Sequence, residues 1–131
     1  MINPMIWLLR HGDAEDGLDD AARALTAKGE RQARAAGATL ALLGAHLDTC
    51  LTSPKARAVQ TAEIACEALD LGVEVAPELA GGRFDAHALA AGRGVVLLVG
   101  HEPDFSAAVN EMTGARIEFK KGGLAAVEGE C

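Results

Sequence analysis

The stretch from Gly94 to Gly100 constrains this chain more than any other. Val95 to Val99 is an unbroken apolar run with no polar residue alternating through it. Such a run cannot lie on a solvated face. It is too short for a helix and has glycines at both ends, so it reads as a strand buried on both faces. A strand of that kind needs parallel neighbours beside it and helices above and below.

The rest of the chain supplies them. Met5 to Leu9 reads as a strand. Thr26 has the character of an N-cap, and Ala33, Ala36, Gly37, Leu40 and Leu43 then recur on one helical face until Gly44 ends the helix. Leu47 to Thr52 reads as a strand running into Ser53-Pro54, a cap followed by proline in the first helical turn. Val59, Ala62, Cys66 and Leu69 share the face of that second helix. Val73 to Val75 is a short edge strand, and Phe84 to Ala91 a short helix. Pro103 opens a helix with Phe105, Ala108, Val109 and Met112 inward, closed by Gly114. Arg116 to Phe119 and Leu124 to Val127 read as strands. The alternation predicts an α/β fold, a three-layer α/β/α sandwich around a mostly parallel sheet. The length, 131 residues, fits a single domain spanning residues 1–131.

In an open parallel sheet, ligands bind beyond the carboxyl ends of the strands. Here those ends are Arg10-His11-Gly12, Ser53-Pro54-Lys55-Ala56-Arg57 and Gly100-His101-Glu102. Each carries a cationic or titratable group. Two arginines and two histidines at one rim form an anion pocket, because guanidinium forks match phosphoryl oxygens. Helix N-termini after Ser53 and Glu102 would add backbone donors. The expected ligand is a phosphoryl group. Nucleic acid is disfavoured by a net charge of −7 and by only 3% aromatic residues. Cys50, Cys66 and Cys131 are odd in number and widely spaced, which suggests neither a disulfide framework nor a zinc site but reduced thiols. No leader pattern or membrane-length apolar run appears, so a cytoplasmic protein with no membrane partner is expected.

Three motifs resemble the histidine phosphatase superfamily, whose fold is phosphoglycerate mutase-like: Leu-Arg-His-Gly at Leu9 to Gly12, Ser-Pro-x-x-Arg-Ala-x-Gln-Thr-Ala at Ser53 to Ala62, and Val-Gly-His-Glu-Pro at Val99 to Pro103. The Arg-His-Gly-Asp-Ala start and Arg-x-Leu-Thr-x-x-Gly at Arg23 to Gly29 are similar to its SixA-like phosphohistidine phosphatases. The resemblance implies that His11 is a nucleophile forming a phosphohistidine. It also implies that Arg10, Arg57 and His101 hold the phosphoryl oxygens, with no metal or other cofactor. Gly12 would leave room for the phosphoryl group, and Arg23 would approach the pocket.

The proton donor is open. Glu102 stands next to His101, yet a carboxylate there also stabilises a helix N-terminus. Asp13 and Glu78 are the other candidates. A phosphohistidine substrate relaxes the demand, since its leaving imidazole can carry its own proton. Gly17 stands where the mutase branch of the superfamily has an asparagine, and no long insertion offers a lid. Both features favour a phosphohistidine on a partner protein. A small-molecule phosphomonoesterase and a non-catalytic phosphate-binding module are the alternatives. Asp13 to Asp20 reads as a solvated acidic loop, His46 and His87 as surface residues, and Lys120-Lys121 as a solvated turn. Whether the end at Cys131 is natural stays open.

Overall fold

The computed structural model describes residues 5–128, so Cys131 lies outside the described residues. Its strands are β1 (Met5–Arg10), β2 (Thr49–Thr52), β3 (Val73–Val75), β4 (Val96–Gly100) and β5 (Leu124–Glu128). Its α-helices are α1 (Ala27–Leu42), α2 (Ala56–Glu67), α3 (Ala86–Ala90) and α4 (Asp104–Thr113), with 3-10 turns at Asp20–Ala22 and Pro77–Leu79. The sheet order is β3-β2-β4-β1-β5, parallel except for β5, which runs antiparallel to β1. β4 occupies the middle and is buried throughout, as its apolar run requires.

The pleat divides the core into two. Ile6, Leu8, Val96 and Leu98 pack with Phe105, Ala108 and Val109 beneath α3 and α4. Leu9, Leu97 and Val99 pack with Ala36, Leu40, Ala58, Ala62 and Ala65 beneath α1 and α2. This is the α/β/α sandwich. Small residues set the helix spacing on the second face, where a Cβ on Gly37 would lie 2.5 Å from the carbonyl oxygen of Ala65. Helices α1 and α2 therefore touch backbone to backbone. The buried face of α2 accordingly runs through Ala58 rather than Val59, which is only half-buried.

Two local expectations are corrected. Arg116 to Phe119 is not a strand, because Phe119 bonds to side chains instead of a ladder: its N–H donates to Glu102 Oε2 and its carbonyl accepts from Arg10 Nη1. Helix α2 starts at Ala56, two residues later than Ser53-Pro54 suggested. Ser53 Oγ instead accepts the N–H of Lys55 in the preceding turn and bonds His101. No helix among the described residues is long and apolar enough to cross a membrane.

Candidate active site

Strand register brings the three motif segments level. Arg10 pairs with Gly100 and Thr52 with Val99. Past those pairs, His11 N–H donates to Gly100 O at 3.0 Å and Ser53 N–H to Val99 O at 2.9 Å. His11, Ser53 and His101 thus emerge side by side from β1, β2 and β4. His11 and His101 open onto a cleft of about 290 Å³ whose walls include Arg10, Arg23, Lys55, Arg57, Glu102, Asp104 and Lys121. A larger groove of about 530 Å³ lies elsewhere, lined by Arg83, Phe84, Asp85, His87, Glu111 and Met112.

His11 is 7% exposed, and its Nδ1 lies 2.7 Å from Gly12 O. A carbonyl only accepts, so Nδ1 carries the hydrogen and Nε2 of the neutral ring keeps a free lone pair. Burial holds its pKa down to about 4; Arg57, Arg10 and Lys121 lower it further, while the bond to Gly12 opposes them. His101 is 6% exposed, with its ring centroid 5.2 Å from that of His11 and its Nε2 2.7 Å from Ser53 Oγ. Burial first, then His11 and Arg57, holds its pKa down to about 3. Near neutral pH the two imidazoles therefore offer nitrogen donors and lone pairs rather than full charges.

The arginines carry the charge. Arg10 Nη1 donates to Phe119 O at 2.8 Å, and Arg57 Nη1 to Asp20 O at 2.7 Å. The Nε–H groups of Arg10 and Arg57 are buried with no hydrogen-bond partner among the described residues. A buried, unpartnered guanidinium donor is costly, and an oxyanion would satisfy it. Arg57 is only 6% exposed although it sits in the first turn of α2, so it is not a solvated surface charge.

Some candidates take places other than those expected. Gly12 is absent from the cleft wall; its N–H donates to Thr61 Oγ1 at 3.0 Å, and a Cβ there would lie 2.5 Å from Gly29 O. Close packing on α1 by itself requires glycine here. Glu102 does line the cleft, but Oε1 accepts from Ser106 N–H at 2.7 Å and Oε2 from Phe119 N–H at 3.1 Å. Asp13 stands outside the cleft wall, bonded to Thr26 Oγ1 and Lys121 Nζ, and the Thr26 bond first of all holds its carboxyl below the usual range. Such a group is a poor proton donor. Exposed Glu78 lines another groove, with Arg83 and Arg93. Arg23 reaches the cleft, while Cys50 is buried in β2 and His46 and His87 are exposed.

Sequence reasoning did not foresee the contacts of four residues. Thr61 supports Gly12, and Ser53 bonds His101. Phe119 holds Arg10 through its carbonyl. The fourth is Asp20, which leaves the expected solvated loop to pair with Arg57, Lys55 and Arg23. Only Thr61 and Ser53 carried a signal, since both fall within the second motif.

Comparison with known proteins agrees with this geometry. A family model described as the histidine phosphatase superfamily (branch 1) matches residues 6–85. An uncharacterised protein of Picosynechococcus sp. is 37% identical over 91% of this chain and 81% of its own length. A 2,3-bisphosphoglycerate-dependent phosphoglycerate mutase of Caulobacter sp. is 37% identical over 50% of this chain but only 30% of its own. Among solved structures, the protein histidine phosphatase SixA complexed with tungstate superposes with a TM-score of 0.82 at 30% identity, covering 93% of this chain and 86% of that one. A structure assigned as a phosphohistidine phosphatase SixA, from Nakamurella multipartitia, gives a TM-score of 0.81 at 29% identity, over 94% and 83%.

Proposed function

The chain belongs to the histidine phosphatase superfamily and is a phosphatase of its SixA-like group; from that premise we propose that it works through phospho-His11, without a metal ion, on phosphohistidine side chains of a partner protein. The observation that carries this reading is the neutral His11 ring, pinned by Gly12 O at Nδ1 and lying in the same cleft as two arginines.

His11 Nε2 attacks phosphorus, and a new N–P bond forms as the bond to the leaving nitrogen breaks. Arg10, Arg57 and the His101 ring hold the equatorial oxygens and stabilise the charge that spreads over them. A phosphohistidine protonated on its distal nitrogen releases a neutral imidazole and needs no acid from the enzyme. Water then attacks the phosphorus of phospho-His11, freeing orthophosphate and returning the lone pair to Nε2. Glu102 holds the turn before α4 and, through Phe119, the guanidinium of Arg10. That assignment makes it a positioning residue, since both its oxygens are already engaged. Arg10 and Arg57 supply the cationic charge that a metal ion would otherwise bring. The SixA structure complexed with tungstate, a tetrahedral oxyanion, supports the same use of this site.

The test is a quench experiment in EDTA with a radiolabelled phosphohistidine-bearing protein domain. Labelled enzyme should survive alkali and lose its label in acid, as a phosphoramidate does, and His11→Ala should trap none. Label persisting in His11→Ala, or faster hydrolysis of alkyl phosphates than of the phosphoprotein, would overturn the proposal.

A further inference from the structure

The 3-10 turn Asp20–Ala22 buries none of its residues, so apolar packing does not explain its place. Charge does. Asp20 Oδ2 lies 3.0 Å from Lys55 Nζ and 3.3 Å from Arg57 Nη2, and Oδ1 lies 3.2 Å from Arg23 Nη1. Its carbonyl takes a further bond from Arg57 Nη1 at 2.7 Å. Arg23 is itself oriented by donating from Nε to Glu15 O at 2.7 Å. One carboxylate therefore engages three cations that all line the cleft. Lys121, which also lines the cleft, is paired with Asp13 at 3.1 Å.

After these pairings, the cationic groups left to a ligand are Arg10 and the inner, Nε side of Arg57, whose buried donors have no partner among the described residues. That is the complement of one phosphoryl dianion. A second acidic group beside the phosphoryl group would find Arg23, Lys55 and the outer edge of Arg57 already matched by Asp20, and the carboxylates of Glu102 and Asp104, which also line the cleft, would repel it.

We propose that Asp20 is a specificity-determining residue that limits the cleft to substrates bearing one phosphoryl group and excludes those with a second anionic group next to it. The substrate class this leaves is a phosphoryl group on a neutral or cationic carrier, such as an imidazole or amine side chain. The proposal rests on the reading of the cleft as a phosphoryl site.

Direct binding tests it without relying on turnover. Titration calorimetry with orthophosphate and with pyrophosphate would be run on the wild type, Asp20→Asn and Asp20→Ala. Asp19→Asn is the control, an exposed neighbour whose side chain makes no cap bond. Both Asp20 variants should raise the affinity for pyrophosphate relative to orthophosphate by about tenfold or more, the scale of removing one close like-charge contact. Orthophosphate affinity itself should change by less than about threefold, and Asp19→Asn should leave the ratio alone. An unchanged ratio in both Asp20 variants, or a parallel loss of both anions, would overturn the proposal and leave Asp20 as a buttress for Arg57. Failure of the wild type to bind orthophosphate would instead sink the phosphoryl-site reading itself.

Discussion

Acidification from pH 6.5 to pH 5 should destabilise this protein chiefly through His11 and His101. Both rings are buried, and burial is the largest cause holding their pKa values to about 4 and about 3. In the unfolded chain each titrates near ~6.5. Between those values the unfolded state binds more protons than the folded one, so stability rises with pH and is lost as pH falls through this window. The slope rises from about 0.7 kcal/mol per pH unit at pH 6.5, where the unfolded ring is half protonated, to about 1.4 near pH 5, so the change costs about 1.6 kcal/mol per histidine and about 3 for the pair. Against a typical total of ~5–15 kcal/mol, that is a large fraction. Asp13 and Asp20 do not confuse the measurement. Their carboxyls are depressed, so their contribution persists above the ordinary carboxylate range and is lost only at lower pH.

The assay is urea unfolding at half-unit pH steps, comparing the wild type with His11→Asn and His101→Asn, neither of which can take up the proton. Each variant should show about half the wild-type loss across the window, as two similar buried rings require. Variant curves parallel to the wild type would refute the account, because they would mean that both rings titrate normally in the folded protein. With His11 as the proposed nucleophile, the same burial predicts that kcat/KM stays flat through pH 6.5 on the acid side, its ring remaining neutral until near pH 4.

Two further outcomes follow from packing and hydrogen bonding. Gly37→Ala should lower stability by about 1–2 kcal/mol, although alanine is the better helix former by ~1 kcal/mol, because the added Cβ meets the Ala65 carbonyl and the contacting atom is backbone that cannot swing away. Scanning calorimetry checks this, and a melting temperature above that of the wild type would overturn it. Glu102→Gln should reduce turnover by a similar factor on alkyl phosphate, phenyl phosphate and phosphohistidine, because its oxygens hold Ser106 and Phe119. A loss confined to alkyl phosphate would make Glu102 the proton donor.

What was legible in the sequence was local. Val95 to Val99 announced a central strand, and His11, Ser53 and His101 could be placed together because each follows its strand directly in a sheet of predictable hand. What stayed hidden depends on pairings across the chain. Asp20 meets Arg57 at a separation of 37 residues, and Phe119 meets Arg10 at 109. No period or cap signal encodes either contact. Arg116 to Phe119 misled because an apolar-polar alternation specifies extension, while the identity of the partner, ladder or side chain, is decided by the tertiary fold. At Gly12 the tertiary fold supplies a reason for glycine that no local pattern encodes, since a Cβ there would meet the backbone of Gly29 on α1.

The arrangement of charge explains how a chain of net −7 can hold an anion at all. Its cleft cations are largely matched at the outer rim, Lys121 by Asp13, and Arg23, Lys55 and the outer edge of Arg57 by Asp20. Near neutral pH the histidines add no charge, because burial keeps both rings neutral. Positive potential is thereby confined to the inner faces of Arg10 and Arg57, next to His11. The same burial that weakens the fold in acid thus keeps the His11 ring neutral near pH 7, as its proposed role as nucleophile requires.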